Sequence, residues 1–189
     1  MNEDKVIEEI IHKSEEKKNG YYIVAIDGRC AAGKTTFSKR FFDATDCSVF
    51  HMDDYFLRPE QRTKERLETP GGNVDRERFE QEVLLPLKNG CDRIGYRRYD
   101  CREQKLSEPV FITPNHLIII EGSYSCHPSL YDSYDETIFL DISPEEQEKR
   151  LLTRNAKDLR SFKERWIPME EKYFETFRIK EICDYCLYC

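Results

Sequence analysis

The sequence predicts an α/β fold in which a mainly parallel sheet carries helices on both faces. Short apolar runs rich in β-branched residues alternate with longer stretches whose apolar residues recur at helical spacing. Continuous apolar runs are typical of strands buried on both faces, as in a parallel sheet. The length of 189 residues suits one domain. Together, these three observations predict a single doubly wound domain over residues 1–189.

The composition argues against several functional classes. Lys plus Arg number 30 and Asp plus Glu number 37, so the formal net charge is −7, whereas general attraction to nucleic acid needs a basic excess. No apolar run approaches the roughly 20 residues of a membrane-spanning helix. The N-terminus lacks the basic-then-apolar order of a signal peptide, and the eight cysteines then suit reduced thiols. We expect a cytoplasmic protein without nucleic-acid or membrane partners.

In the first half of the chain, helices and strands alternate around one long loop. The pair Asn19-Gly20 ends an amphipathic helix, and the apolar run Tyr21–Ile26 predicts the first buried strand. A Gly-containing turn leads into the next helix, and Asp75 is a suitable N-cap for a later one. The expected elements are a helix over 3–18, a strand over 21–26, a helix over 34–42, a strand over 47–52, a loop over 56–74 and a helix over 76–88.

The second half of the chain adds a hairpin, three strands and a helical region. Two extended pieces flank a polar turn within residues 94–113, which predicts a β-hairpin inserted between a helix and a strand. Ser143-Pro144 followed by acidic residues is a strong helix start, and Pro168 interrupts the helical region behind it. The expected elements are the hairpin over 94–113, strands over 117–120 and 137–141, helices over 144–154 and 157–177, and a last strand over 184–188.

A glycine-rich segment after the first strand matches the phosphate-binding pattern Gly-x-x-x-x-Gly-Lys-[Ser/Thr] at every fixed position. Glycines let the backbone N–H groups point at phosphate oxygens, and the helix that follows adds its positive N-terminal end. Lys34 would reach the β- and γ-phosphates, and the Thr35 hydroxyl would bind Mg²⁺. We therefore expect a P-loop NTPase fold that binds ATP. The expected nucleotide-binding residues are Gly28, Arg29, Cys30, Ala31, Ala32, Gly33, Lys34, Thr35 and Thr36.

Carboxylates at the ends of two further strands indicate which class of P-loop protein this is. Asp53 follows the strand over 47–52 and Glu121 follows the strand over 117–120, at the sheet edge where ligands of open α/β sheets bind. No Asn-Lys-x-Asp segment for guanine recognition occurs, which disfavours a GTPase. A small-molecule kinase fits, with Asp53 as the base that takes a hydroxyl proton and with Thr35, Glu121 and Asp53 as Mg²⁺ ligands. Acids that merely cap the next turn are the alternative.

Cationic residues downstream predict a helical lid over residues 145–177. Arg150, Arg154 and Lys157 are spaced by four and three positions, so they share one face of a helix. Arginine suits the charge that spreads over a transferring phosphoryl group, because its planar donors match the oxygens. We expect Arg150 and Arg154 to be catalytic together with Lys34, and an ordinary solvated face is the alternative.

Two further signals are ambiguous. Cys30 lies inside the phosphate loop, either as a variable position that tolerates cysteine or as a thiol whose oxidation would inhibit the site. Trp166, Tyr173 and Phe174 are expected to pack the lid helix rather than to bind a base.

Four of these features together resemble the uridine kinase-like P-loop kinases, a group that includes phosphoribulokinase and bacterial pantothenate kinase. They are the phosphate loop over 28–35, the segment His51-Met52-Asp53-Asp54-Tyr55-Phe56, the strand end Ile120-Glu121-Gly122 and the arginine-bearing helix. The resemblance extends over roughly residues 20–188. It implies a parallel sheet with helices on both sides, a β-hairpin over the acceptor site and a mobile lid.

Position by position, the resemblance implies roles for individual residues. Lys34 and Thr35 would hold phosphate and magnesium, Asp53 would be the base that activates a sugar hydroxyl, and Glu121 would be the second acidic magnesium residue. Tyr99-Asp100 is similar to a Tyr-Asp pair at the hairpin of this family. The expected substrate-binding residues are Tyr55, Arg98 and Tyr99.

The hairpin departs from the pattern of pyrimidine nucleoside kinases. In those kinases a His that contacts the base follows the Tyr-Asp pair closely, whereas this chain has no His between His51 and His116. Arg97, Arg98 and Arg102 lie there instead, which admits either an anionic acceptor or a solvated edge strand.

The sequence therefore predicts an ATP- and Mg²⁺-dependent kinase that transfers the γ-phosphate to a hydroxyl of a small molecule, with a nucleoside as the first expectation. One alternative is a kinase for a sugar phosphate or a pantothenate-like acceptor. Another is a nucleotide-binding regulatory protein that phosphorylates no acceptor. Assembly into a homo-oligomer stays open.

Overall fold

The strands form one central sheet and two small ladders. The computed structural model describes residues 2–189, apart from the side chains of residues 155 and 156. The central sheet has five strands in the order β2-β7-β1-β8-β9. The strands are β1 (Tyr22–Gly28), β2 (Ser48–His51), β3 (Ile94–Tyr96), β4 (Tyr99–Asp100), β5 (Lys105–Leu106), β6 (Val110–Ile112), β7 (Leu117–Glu121), β8 (Glu136–Asp141) and β9 (Tyr185–Tyr188).

Helices connect these strands and cover the central sheet. No helix within residues 2–189 is both long and apolar enough to cross a membrane. The α-helices are α1 (Glu3–Glu16), α2 (Lys34–Thr45), α3 (Lys64–Glu68), α4 (Arg76–Phe79), α5 (Leu85–Lys88), α6 (Pro128–Tyr131), α7 (Pro144–Asn155), α8 (Leu159–Ser161), α9 (Ile167–Phe177) and α10 (Ile179–Ile182).

All strand pairs of the central sheet are parallel. β1 lies in the middle, where Val24 is opposite Ile119 of β7 and Glu136 of β8. Because parallel strands need crossover connections, helices must pass over the faces of the sheet. The prediction of a mainly parallel, doubly wound α/β sheet is confirmed.

Two hydrophobic clusters lie on the two faces of the sheet, and β1 contributes to both. Ile23 and Ala25 belong to one cluster, whereas Val24 and Ile26 belong to the other, because successive side chains of a strand point to opposite faces. Helices α1 and α2 supply Val6, Ile10, Phe37 and Phe41 to the cluster that contains Val24. The opposite cluster receives Phe79, Val83, Leu87, Tyr173 and Phe174.

The starts of two helices agree with the sequence prediction, whereas one predicted loop does not. Asp75 accepts a hydrogen bond from the N–H of Arg78 at 3.3 Å, and the Ser143 hydroxyl accepts one from the N–H of Glu146 at 3.2 Å, so both predicted N-caps are confirmed. The prediction of a loop throughout 56–74 is wrong, because α3 lies inside it. Thr63 caps that helix.

The segment between α5 and β7 forms two antiparallel ladders. β3 pairs with β6, with Gly95 opposite Phe111, and β4 pairs with β5, with Tyr99 opposite Leu106. Both ladders are separate from the central sheet. This segment corresponds to the expected insertion over 94–113.

Candidate active site

The phosphate loop joins β1 to α2 through backbone conformations that favour glycine. Gly28 has φ of 137°, and a Cβ there would lie 2.1 Å from the carbonyl oxygen of Leu140. Gly33 has φ of 98° and forms the N-cap of α2. Ala31 between them has φ of 62°. The loop therefore turns through left-handed conformations at positions where residues other than glycine are strained.

The N-terminus of α2 is suited to bind an anion. Its N-cap Gly33 offers no side-chain hydrogen bond, and its first turn contains no acidic residue. The first N–H groups of a helix lack internal partners and carry positive dipole charge. The ammonium group of Lys34 donates to the carbonyl oxygens of Gly28 at 2.6 Å and Arg29 at 3.0 Å. Together these groups can hold a phosphate.

A cavity of about 710 Å³ opens above the loop at the carboxyl edge of the sheet. It brings together the expected catalytic residues Lys34, Asp53, Arg150 and Arg154 with Thr35 and Glu121. Of the expected nucleotide-binding residues, the lining contains Cys30, Ala31, Gly33, Lys34, Thr35 and Thr36. The other lining residues are Phe56, Asn73, Gly122, Ser123, Tyr124, Phe162, Trp166 and Glu170.

Oxygen atoms suited to a magnesium ion meet beside α2. The Thr35 hydroxyl lies 3.3 Å from a carboxylate oxygen of Glu121, and His51 Nδ1 lies 2.5 Å from the same oxygen. Nowhere in the described chain do three His, Cys, Asp or Glu side chains form a metal site by themselves. A hydroxyl, one carboxylate and substrate phosphates are a common Mg²⁺ environment, so these residues fit the ion.

Asp53 follows β2 in a 3₁₀ turn over Met52–Tyr55. Desolvation raises the pKa of its carboxyl group, and the neighbouring Glu121 raises it further. Within residues 2–189, its side chain makes no hydrogen bond or ion pair, and it is exposed to the cavity. A carboxylate with a raised pKa and open lone pairs is suited to accept a proton.

Helix α7 presents its two arginines to the same cavity. Arg150 donates to the carbonyl oxygen of Ala31 at 3.3 Å and to Glu146 at 3.0 Å. Arg154 lies near enough to Asp53 to lower the pKa of that carboxyl group. The expectation of a shared cationic face is therefore compatible with the geometry at these two positions, whereas Arg160 pairs with Glu164 on the surface.

Cys30 is held by Gln147, whose amide donates to the Cys30 carbonyl at 3.0 Å and to its sulfur at 3.3 Å. Burial raises the pKa of the Cys30 thiol to about 12, with a further contribution from Glu170. Because the thiolate is the reactive form, the structure favours an unreactive cysteine at this position over a redox-sensitive one.

Helix α9 is bound to the phosphate loop and to the end of β1 by three contacts. Tyr173 donates its hydroxyl to the buried Asp27 at 2.8 Å, Glu171 accepts from Arg29 at 2.6 Å, and Glu170 accepts from the N–H of Cys30 at 2.9 Å. Hydrogen bonds from charged groups are stronger than neutral ones. This part of the expected lid over 145–177 is therefore bound to the loop.

Several expected site residues lie outside the cavity lining. Gly28 and Ala32 are among these, and Arg29 turns to Glu171 and Asp141. The three expected substrate-binding residues are also elsewhere: Tyr55 is fully buried against Phe79 and Arg78, Arg98 pairs with Asp54, and Tyr99 accepts a hydrogen bond from Arg62. Core packing and ion pairing occupy the side chains of these residues.

Comparisons with solved structures identify the architecture. A candidate uridine kinase from Bacillus stearothermophilus has 19% sequence identity and a TM-score of 0.66, with 97% of this chain and 99% of that chain covered. YFH7 from Saccharomyces cerevisiae, described as a candidate P-loop containing kinase with a circular permutation, has 11% identity and a TM-score of 0.67, with coverages of 100% and 99%. The chain has the fold of P-loop kinases.

A third solved structure has a similar fold. The YGR205w protein has 14% identity and a TM-score of 0.60, with 97% of this chain and 91% of that chain covered. No model of a protein family matches the chain, and no curated protein matches it. At sequence identities this low, the structural similarity shows that the fold is shared and does not extend to function.

Within this P-loop kinase fold, the cavity also contains residues that no sequence pattern indicated as part of a site. Asn73 and Glu170 lie far apart in the sequence, and no motif singled them out. Ser123 and Tyr124 directly follow the strand end at Glu121, which could have indicated them. Trp166, which was expected to pack a helix, lines the cavity, whereas Tyr173 and Phe174 are buried as expected.

Proposed function

We propose that the protein is an ATP- and Mg²⁺-dependent kinase that transfers the γ-phosphate to a hydroxyl group of a small molecule. One observation carries this proposal: Asp53, with no partner among the described side chains, shares a cavity with Lys34, Thr35 and Glu121. A base, a phosphate loop and a pair of metal-ligating oxygens are the parts that phosphoryl transfer to a neutral hydroxyl needs.

Each group has a role in this reaction. Lys34 and the first N–H groups of α2 bind the phosphates of ATP and orient the γ-phosphoryl group. Arg150 and Arg154 stabilise the negative charge that spreads over the transferring group. Asp53 accepts the proton of the attacking hydroxyl.

Thr35 and Glu121 would hold a magnesium ion, which would supply neutralising charge to the phosphate oxygens. His51 contacts the same oxygen of Glu121 as Thr35 does. Side chains that contact metal ligands orient them. His51 therefore holds the Glu121 carboxylate in place beside the phosphate loop.

A nucleoside is the first candidate for the acceptor. Phe56, Phe162 and Trp166 line the cavity, and aromatic rings of this kind stack on flat rings of ligands. The three expected substrate residues Tyr55, Arg98 and Tyr99 are not needed for this proposal, because the aromatic lining residues take their place.

A panel of acceptors tests the kinase proposal. The protein is incubated with ATP, Mg²⁺ and, in separate reactions, nucleosides, free sugars, sugar phosphates and pantothenate, and ADP release is measured. We expect release above the acceptor-free rate for at least one acceptor. Tight ATP binding without stimulation by any acceptor contradicts the proposal and favours a regulatory nucleotide-binding protein.

A further inference from the structure

Glu170 is a buried carboxylate that lines the proposed active-site cavity. One of its oxygens accepts the hydroxyl hydrogen of Ser123 at 2.6 Å, and the other accepts the N–H of Cys30 at 2.9 Å. A carboxylate accepts about four hydrogen bonds in total. Glu170 therefore keeps acceptor capacity for a ligand that brings hydrogen atoms into the cavity.

Asn73 adds a second, independent sign of a ligand. Its side chain lines the same cavity, the residue is only 6% exposed, and its buried Oδ1 has no hydrogen-bond partner within the described chain. Buried polar atoms without partners are rare in folded proteins because each one is costly. A donor on a bound molecule would satisfy this atom or reorient the amide.

The three cationic side chains that line the cavity lie near the phosphate loop or near Asp53. Lys34 and Arg150 donate to carbonyl oxygens of the phosphate loop, and Arg154 lies near Asp53. The described lining contains these three cations and the three carboxylates of Asp53, Glu121 and Glu170. A negatively charged group of an acceptor near Glu170 would meet repulsion from this buried carboxylate.

The hairpin arginines do not supply the missing charge. Arg97 pairs with Glu82 at 2.8 Å, and Arg98 pairs with Asp54 at 3.4 Å. Neither these residues nor Arg102 belong to the cavity lining as the structure describes it. Of the three hairpin arginines that allowed an anionic acceptor, two are therefore already engaged in ion pairs.

We propose that Glu170 determines acceptor specificity: together with Asn73 it selects an acceptor that presents hydroxyl or ammonium hydrogens and carries no negative charge. This inference rests on the proposed kinase function and narrows its substrate class. Donors on the acceptor bind Glu170 and Asn73, and an anionic group in their place is rejected. Sugar phosphates and carboxylic acids are thereby excluded as acceptors.

Binding of charge-matched pairs tests this proposal without relying on turnover. Trp166 is the single tryptophan of the chain and lines the cavity, so its fluorescence reports entry of a ligand. The full protein with Mg²⁺ and a non-hydrolysable ATP analogue is titrated with ribose and ribose 5-phosphate, uridine and uridine 5′-phosphate, and pantothenol and pantothenate. We expect a neutral member to bind roughly 10- to 100-fold more tightly than its anionic partner, as for loss of a hydrogen bond to a charged group.

A variant at Glu170 links the preference to this side chain. Glu170→Gln keeps the size of the side chain and removes the charge, so the binding ratio within a pair should shrink by roughly tenfold or more. Glu175→Gln makes the same charge change at an exposed position of α9 and should keep the wild-type ratio. Circular dichroism of both variants controls for folding, and the wild-type ratios test the proposal even if Glu170→Gln does not fold.

The outcomes separate this inference from the kinase proposal. Equal or tighter binding of the anionic members, absence of binding by every neutral member, or an unchanged ratio in folded Glu170→Gln overturns the specificity proposal. Tight binding of a neutral acceptor that never stimulates ADP release from ATP contradicts the kinase function and leaves the selectivity of the cavity intact.

Discussion

At the scale of single residues, the two acids after β2 illustrate how neighbouring side chains acquire different roles. Asp53 faces the cavity without a partner among the described residues, whereas Asp54 pairs with Arg98 at 3.4 Å. Both carboxyl groups have a pKa raised by desolvation, but Asp54 is compensated chiefly by Arg98 and His51. The contrast makes Asp54 a matched control for Asp53.

Replacing Asp53 by Asn tests the assignment of the base. The amide cannot accept the acceptor proton, so kcat should fall by roughly 10²- to 10⁴-fold, the usual contribution of general base catalysis. ATP affinity, measured by equilibrium binding, should change little because the phosphate loop is intact. Asp54→Asn should retain most turnover. Wild-type turnover in Asp53→Asn would contradict the assignment of Asp53 as the general base.

The residues whose place in the cavity could be predicted are those indicated by local spacing. Lys34 and Thr35 belong to one short segment with a fixed pattern, and Asp53 and Glu121 each end a strand. Glu170 could not be predicted in this way, because its contact with Cys30 joins positions 140 residues apart. Only the packing of α9 against the sheet creates that neighbourhood.

At the scale of elements, α9 stands out because it is bound to the phosphate loop along its first two turns. Tyr173 of α9 donates its hydroxyl hydrogen to the carboxyl group of Asp27. The same carboxyl group accepts hydrogen bonds from the N–H groups of Gly28, Tyr124 and Cys126. One buried carboxyl group thus connects β1, the loop after β7 and α9. Removal of any donor leaves this group less well compensated.

The substitution Tyr173→Phe removes one donor and keeps the aromatic packing. We expect the free energy of unfolding to fall by about 1–3 kcal/mol, since a buried hydrogen bond to a carboxyl group is lost. Nucleotide affinity should weaken too, because the loop is less firmly held. Urea unfolding and ATP titration measure both effects. Tyr188→Phe at an exposed position is the control, and equal stability of the two variants would contradict the coupling.

Elements were predicted well where the apolar period is regular and less well near prolines inside helices. Two π-helical turns, over Glu80–Leu84 and Phe162–Trp166, each end two residues before a proline. Proline has no N–H and crowds the carbonyl four residues earlier, and a wider turn relieves that crowding. The expected continuous helix over 76–88 is therefore helical throughout, but with a local change of pitch near Pro86.

At the scale of the whole molecule, the net charge of −7 does not oppose nucleotide binding. The phosphates would interact with Lys34, the N-terminus of α2 and two arginines within a few ångströms, and charges beyond about 10 Å are screened by salt. The total charge is therefore uninformative about the ligand. The arrangement at one sheet edge carries the functional information.

The stability of the whole fold should decrease in mild acid because of His127. Burial lowers the pKa of His127 to about 4, with a contribution from Arg76, and its Nδ1 accepts the N–H of Ser129 at 3.2 Å. The unfolded chain binds a proton near pH 6.5, so between pH 6.5 and 4 it holds more protons than the folded state. The free energy of unfolding should fall by about 3 kcal/mol over that range.

Urea unfolding at pH 7 and pH 5 measures this effect. His127→Phe keeps a ring beside Tyr173, on which the imidazole stacks, but cannot take up a proton, so this variant should lose less stability on acidification than the wild type. His12→Gln, at an exposed position of α1, should behave as the wild type does. Identical pH dependence in His127→Phe and the wild type would rule out His127 as the cause.

Because β1 lies in the middle of the sheet, it stays unpaired while much of the chain is synthesised. Tyr22 pairs with Leu117, and β1 has its other neighbour in β8, so roughly 90 residues follow β1 before either partner strand leaves the ribosome. At about 5–20 residues per second, this takes on the order of 5–20 s. During that time a strand that is buried along its whole length in the folded protein is unpaired, and it is the strand that ends in the phosphate loop. We therefore expect the N-terminal third of the nascent chain to be prone to aggregation until the second half has been made.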